Sequence, residues 1–179
     1  MTPPRSAVIV AVPESEPLVG ELREIHSPER AAGFPAHVTL FVPFLPPEQI
    51  DADVLAKLAR VIASEPTFDF ELASVGCFPS TLFLDPAPHE PFVRLTHAIA
   101  AAFPPLLPYE GEFESVLPHL TVADHVAPDV MDALDVAVGT GLPITCRAEQ
   151  ASLIVRASLD APWEIHAVLP LGTRSAPDC

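Results

Sequence analysis

Two short segments that contain histidine and threonine are the part of this sequence best suited to catalysis. The first is a His-Val-Thr-Leu segment that begins at His37, and the second is a His-Leu-Thr-Val segment that begins at His119. Histidine alone has an unperturbed pKa that lets one copy accept a proton and another donate one near neutral pH. The hydroxyls of Thr39 and Thr121 could donate hydrogen bonds to phosphate oxygens as negative charge develops there.

Both segments are predicted to lie on β-strands, over residues 36–44 and 117–123. Side chains alternate between the two faces of a strand, so each histidine points the same way as the threonine two residues later. The apolar neighbours are expected to point into the core; they are Val38, Leu40, Leu120 and Val122. If the two strands face each other across a cleft, four polar groups converge there, and the chemistry needs no metal ion.

The rest of the chain alternates paired strands with helices, a pattern that favours the α+β class. Further strands are predicted over 6–12, 67–75, 81–84, 144–155 and 163–169. Helices are predicted over 47–64, 90–103 and 128–138, the last ended by Gly139 as a cap, with a short helix near 18–25.

A faint internal repeat accompanies the two motifs. Besides the motifs themselves, a Glu-Leu-Ala-Ser-Val segment at Glu71 recurs as Glu-Gln-Ala-Ser-Leu at Glu149, in the same order and at a similar offset. Duplication of a half-chain predicts two similar lobes, each of which carries one motif.

With both motifs and their spacing, the chain resembles the 2H phosphoesterase superfamily, which includes the RNA 2',3'-cyclic phosphodiesterases also called 2'-5' RNA ligases. The two HxTx motifs of this chain match the superfamily pattern fully, and the resemblance covers nearly the whole chain. It implies a duplicated two-lobed fold with antiparallel sheets lining a central cleft, formed by a single bilobal domain over 1–172 with a flexible tail over 173–179. It also implies that His37 and His119 are catalytic and that Thr39 and Thr121 bind the substrate.

The activity that this resemblance implies is metal-independent hydrolysis of a 2',3'-cyclic phosphate, or of a related phosphodiester, on a small nucleotide or an RNA end. Two alternatives stay open from the sequence. One is reversible 2'-5' RNA ligation, which is the same chemistry run backwards. The other is a non-catalytic protein that binds a nucleotide or phosphate, although binding alone could use cations rather than two histidines.

One departure from the family pattern concerns charge. Many relatives carry Arg shortly after the second motif, where this chain has Asp124. The chain also has a net charge of −15 and nine Lys and Arg residues in total. Long nucleic acids are held largely by neutralisation of their phosphates, so we expect a small nucleotide or a terminal cyclic phosphate as partner, not long RNA.

Other features set further expectations. Three widely spaced cysteines and unpaired histidines give no zinc spacing and no disulfide framework, so we expect neither metal nor cofactor. No apolar run approaches a membrane span, and we expect a cytoplasmic, monomeric protein. A few aromatic residues could stack a nucleobase, although core packing is their commoner role; they are Phe41, Phe44, Phe78, Tyr109 and Trp163.

Overall fold

The computed structural model describes residues 5–104, 106–111, 116–158 and 160–173, and its strands form two four-stranded antiparallel sheets. The strands are β1 Ser6–Ala11, β2 His37–Phe41, β3 Phe68–Phe78, β4 Thr81–Ala87, β5 Leu120–Ala123, β6 Ile144–Ala148, β7 Gln150–Val155 and β8 Glu164–Pro170. The helices are α1 Glu16–His26, α2 Pro28–Ala31, α3 Ala52–Ile62, α4 Glu90–Ala102 and α5 Pro128–Gly139, with short 3-10 helices at Pro13–Ser15, Pro47–Gln49 and Pro108–Gly111. The predicted α+β class with antiparallel sheets is therefore confirmed.

The two sheets have matching strand orders. One runs β2-β1-β7-β8 and the other β5-β4-β3-β6, so each motif strand lies at the edge of its own sheet. Each sheet takes two strands from the other part of the chain: β7 and β8 join the sheet of β2, and β3 and β4 join the sheet of β5. Neither sheet is therefore formed by a continuous half of the sequence.

The apolar residues of both motifs point into the core, as their alternation predicts. Val38, Leu40, Leu120 and Val122 are all fully buried in one apolar cluster. Helix α4 packs behind β2, where the buried Thr96 hydroxyl donates a hydrogen bond of 2.8 Å to the carbonyl of Leu40. This packing holds β2 with Val38 and Leu40 directed into the core.

Several boundaries differ from the sequence prediction, and four of the differences have an identifiable local feature. The single strand expected over 144–155 is two strands, β6 and β7, which belong to different sheets; only Glu149 separates them, and the stretch contains no Gly or Pro to mark a turn. The helix expected over 47–64 begins only at Ala52, because Asp51 accepts a hydrogen bond from the Val54 N–H and caps the helix there. The third difference concerns Gly139, which is the last residue of α5 and not its cap, a position that Thr140 occupies. The fourth is at β5, which starts one residue after His119.

Three further expectations concern the tail, the cysteines and the absence of a membrane span. Residues 174–179, most of the predicted tail, lie outside the described residues. Among the cysteines that the structure describes, Cys146 is buried, Cys77 is exposed, and both are free. No described helix combines the length and the apolar character needed to cross a membrane.

Candidate active site

The two motif strands approach each other although they belong to different sheets. Cα atoms of β2 and β5 lie within 8 Å of one another. His37 and His119 are close enough for the charge of one to affect the pKa of the other. The tertiary structure thus places the two predicted histidines in one region, one from each sheet.

Both imidazole rings are held in the same way. His37 Nδ1 lies 2.8 Å from the carbonyl oxygen of Pro35, and His119 Nδ1 lies 2.8 Å from that of Leu117. A carbonyl can only accept, so we assign the proton to Nδ1 in each ring. Each Nε2 is then the atom left to exchange a proton with a substrate, as in other sites where a second hydrogen bond fixes the tautomer.

His37 lies in almost dry surroundings. It is 5% exposed, and the ring of Phe34 stacks on it with the centroids 4.8 Å apart. Burial lowers the pKa of His37 to about 4, its hydrogen bond to the Pro35 carbonyl opposes this shift, and the positive charges of Arg23 and His119 add to it. His37 is therefore neutral at pH 7, with an unprotonated Nε2.

His119 lies instead on the wall of an open cavity of about 670 Å³. Phe78 and Phe83 flank its ring, with centroids at 5.4 and 5.3 Å. Thr121 lines the same cavity, whereas His37 and Thr39 are not among its lining residues. The cavity gives a substrate direct access to the second motif, and Tyr109, a neighbour of Thr39, also lines it.

Tyr109 connects the cavity to the first motif. Tyr109 lines the cavity, and the side chain of Thr39 lies close enough to its hydroxyl to lower its pKa. Burial is the main cause that raises the pKa of Tyr109 to about 12, so the phenol stays protonated at neutral pH. The sequence analysis named Tyr109 only as one of five aromatic candidates for base stacking, and nothing in its pattern indicates a position beside Thr39.

The cavity wall carries acidic rather than basic side chains. Glu29 and Asp124 line it, and neither Lys nor Arg occurs among its described lining residues. Asp124 accepts a hydrogen bond of 2.6 Å from the Thr81 hydroxyl, which fixes the carboxylate on the wall. Burial raises the pKa of Glu29, partly offset by the nearby charge of Arg23.

Arg23 is hydrogen-bonded to the backbone near both motifs. It lies on α1 and is fully buried; its Nε donates to the carbonyl of Thr121 at 3.0 Å, and its Nη1 to that of Phe34 at 3.5 Å. Among the described residues, its Nη2 finds no hydrogen-bond partner. The sequence analysis missed this residue, although the spacing offered a sign, because Arg23 follows the buried Val19 by four positions and so shares the inner face of the helix.

The other candidates fall outside this arrangement. Phe41 and Phe44 belong to the core, Trp163 packs on Phe34, and only Phe78 and Tyr109 of the five aromatic candidates line the cavity. His125 follows the end of β5, and its side chain is 79% exposed. Among the described residues, no group of three or more His, Cys, Asp or Glu side chains is placed to hold a metal ion.

Comparison with known proteins agrees with the fold and with the motif pattern. A family model described as the 2'-5' RNA ligase superfamily matches residues 11–160. The chain therefore belongs to this superfamily, the 2H phosphoesterases, and membership supports an enzyme that acts on phosphodiesters. No curated protein matches the chain significantly.

Solved structures share the architecture at low sequence identity. The crystal structure of TT0787 from Thermus thermophilus aligns with a TM-score of 0.65 and 21% identity, over 96% of this chain and 100% of that one. E. coli LigT in apo form aligns with a TM-score of 0.60 and 18% identity, over 96% of this chain and 99% of LigT. LigT complexed with 3'-AMP aligns with a TM-score of 0.57 and 18% identity, over 94% and 98%. These similarities establish the two-lobed fold.

Proposed function

We propose that this protein hydrolyses the 2',3'-cyclic phosphate of a small nucleotide or of an RNA end, without a metal ion. The observation that carries the proposal is the matched pair of imidazoles, each held through Nδ1 by a backbone carbonyl and each next to a threonine on the same strand face. Proton transfer by positioned histidines is what opening a cyclic phosphodiester requires.

His37 acts as the base and His119 as the acid in this proposal. A base must be neutral before the reaction, and burial keeps the pKa of His37 at about 4. His37 is nearly closed to solvent, which suits contact with a water molecule, the smallest reactant. His119 lines the open cavity, where the larger leaving group would lie.

The reaction then proceeds with all atoms accounted for. His37 Nε2 takes a proton from water while the water oxygen forms a bond to phosphorus. The bond from phosphorus to one ribose oxygen breaks, and His119 gives its Nε2 proton to that oxygen. Thr39 and Thr121 donate hydrogen bonds to the non-bridging oxygens as charge builds up on them. The products are a ribose hydroxyl and a phosphate monoester.

The substrate is a small nucleotide or a terminal group. The cavity wall carries Glu29 and Asp124 and neither Lys nor Arg among its described lining residues, so successive phosphates would be repelled there. Phe78 and Tyr109 offer ring surface to a nucleobase. LigT, which shares the fold, has been crystallised with 3'-AMP and with NADP+.

The direct test is turnover of nucleoside 2',3'-cyclic phosphates by the wild type and by His37→Ala and His119→Ala. Each variant should lose at least about a hundredfold in kcat, the low end of acid–base contributions, and the double variant little more. His166→Ala, at an exposed histidine on β8, is the matched control and should retain wild-type turnover. Near-native turnover by either active-site variant would contradict the mechanism. A 2'-5'-linked dinucleotide, tested in parallel, separates cyclic-phosphate hydrolysis from chemistry on 2'-5' linkages.

A further inference from the structure

Helix α1 is hydrogen-bonded to the segments of both motifs. At its first residue, Glu16 accepts a hydrogen bond of 2.9 Å from the Ala36 N–H, directly before His37. At its last residue, the His26 carbonyl accepts one of 2.9 Å from the Asp124 N–H, directly after β5. The helix therefore spans the two motif strands, which belong to different sheets.

Arg23, on the same helix, bonds to both segments through one side chain. Its Nε donates to the Thr121 carbonyl at 3.0 Å, and its Nη1 donates to the Phe34 carbonyl at 3.5 Å. Each carbonyl lies next to a reacting group, because the Phe34 ring stacks on His37 and Thr121 binds the phosphate in the proposed mechanism. The guanidinium is planar and rigid, so its nitrogens fix the separation of the two backbones more closely than a flexible donor would.

Stability alone does not account for an arginine at this position. The side chain is fully buried, and within the described part of the chain its Nη2 is left without a partner. Glu29 and Glu16 lie close enough for their charges to act on Arg23, but among the described contacts neither is hydrogen-bonded to it. Burial of a charge without a bonded counter-ion costs free energy. An apolar side chain would avoid this cost, but it could not bond to both motifs.

The charge of Arg23 also acts on His37. Burial is the main cause of the low pKa of His37, and the positive charges of Arg23 and His119 lower it further. Removal of the Arg23 charge should therefore raise the pKa of His37. The other charged groups that act on Arg23 or on its neighbours in the cavity wall are Glu16, Glu29, Arg30 and Asp124. All of them stay in place when Arg23 alone is replaced.

We propose that Arg23 is a positioning residue for the reaction: its guanidinium holds the Thr121 and Phe34 backbones at a fixed separation and so keeps the two motifs aligned on one phosphate. The inference rests on the proposed function, in which His37 and Thr121 act on that phosphate together. It predicts that Arg23 acts on the transition state, where both motifs must be in place, more than on binding of the substrate.

The test compares two variants of Arg23 on a nucleoside 2',3'-cyclic phosphate. Arg23→Lys keeps the charge and loses the rigid pair of donors, whereas Arg23→Met loses both. Each should lower kcat by at least about tenfold, the size expected for a hydrogen bond from a charged group, and leave KM nearly unchanged. In Arg23→Met the acid limb of kcat/KM should also move to higher pH. In Arg23→Lys it should stay in place, because a lysine is charged at the low pH of this limb.

Thr96→Val is the matched control. Thr96 is also buried and also donates from a helix to a motif strand, through its bond to the Leu40 carbonyl. It is uncharged, and its other bond is to Phe92 of its own helix. Thr96→Val should lower the free energy of unfolding in urea while kcat and the acid limb stay close to those of the wild type. A loss of kcat as large as that of Arg23→Lys would assign both effects to general destabilisation and overturn the positioning role.

The outcomes separate this inference from the proposed function. Wild-type kcat in Arg23→Lys overturns the positioning role while the proposed function stands, and this result does not depend on whether Arg23→Met folds. An acid limb that stays in place in a folded Arg23→Met shows that Arg23 is only structural. A wild type that turns over neither a cyclic phosphate nor a 2'-5'-linked dinucleotide removes the proposed function, and this inference with it.

Discussion

Acid should destabilise the folded protein specifically through His37. The pKa of His37 is about 4 when folded, against an ordinary value near 6.5 in an unfolded chain. Between these two pH values the unfolded chain binds a proton at His37 that the folded protein does not bind. The free energy of unfolding therefore falls as the pH drops from about 6.5 to about 4 and loses nothing more from this group below that range.

The size of the effect follows from the shift. One pKa unit corresponds to about 1.36 kcal/mol, so at about pH 5 the penalty has reached about 2 kcal/mol, while above about pH 7.5 it is close to zero. His37 is nearly fully buried, so solvent screening does not reduce this figure much. A loss of about 2 kcal/mol is a large part of the stability of a domain this size.

Urea unfolding at about pH 7.5 and about pH 5 measures the loss, with His37→Asn as the comparison variant. Asparagine places an amide donor where Nδ1 stands and cannot take up a proton, so all other titrating groups cancel in the difference. The wild type should lose about 2 kcal/mol more than the variant between these two pH values. Equal losses would show that His37 does not titrate abnormally and would refute the argument from its burial.

Four further measurements test the site. The acid limb of kcat/KM, which reports the free enzyme, should have its midpoint near pH 4; a midpoint near 6.5 would contradict His37 as the base. Turnover should persist in EDTA, and a loss restored by a divalent ion would indicate a metal enzyme. Thr39→Val and Thr121→Val should each lower kcat by roughly 10²–10³ with smaller changes in KM, whereas effects confined to KM would assign the threonines to ground-state binding. Because Asp124 and not a cation follows the second motif, a mononucleoside cyclic phosphate should be cleaved at least as well as a 20-mer with the same end. The dependence of kcat/KM on salt concentration should correspond to contacts with about one or two phosphates. A steep salt dependence for the 20-mer would indicate a basic binding track.

Local patterns were sufficient for most elements and for the motif strands. The alternation around Thr39 and Thr121 depends only on strand geometry, and burial of the apolar neighbours confirmed it. The strand predicted over 144–155 was wrong because its two parts are separated by one residue, with no Gly or Pro between them, and join different sheets. Long-range contacts determine which sheet each strand joins, and no local pattern encodes them.

Contacts across the fold explain why Arg23 and Glu29 were missed and why Tyr109 was named only as a base-stacking candidate. Arg23 is buried because α1 packs on β5, and Tyr109 meets Thr39 because its short 3-10 helix folds back on Val42. Glu29 lines the cavity from α2, far along the chain from the second motif. Charge or aromatic character alone does not distinguish these residues from others on the surface or in the core.

The sequence by itself determined the chemistry that is available: two imidazoles and two hydroxyls on strands, paired by type and by spacing. Only the tertiary structure decided that the two motif strands lie at neighbouring sheet edges. It also decided that β7 belongs to the sheet of β2 and that β3 belongs to the sheet of β5. It also decided which histidine is buried, because Phe34 covers His37 while His119 faces the open cavity. The motifs are nearly identical as sequences, and desolvation, which depends on everything packed around a ring, is what makes their two histidines different.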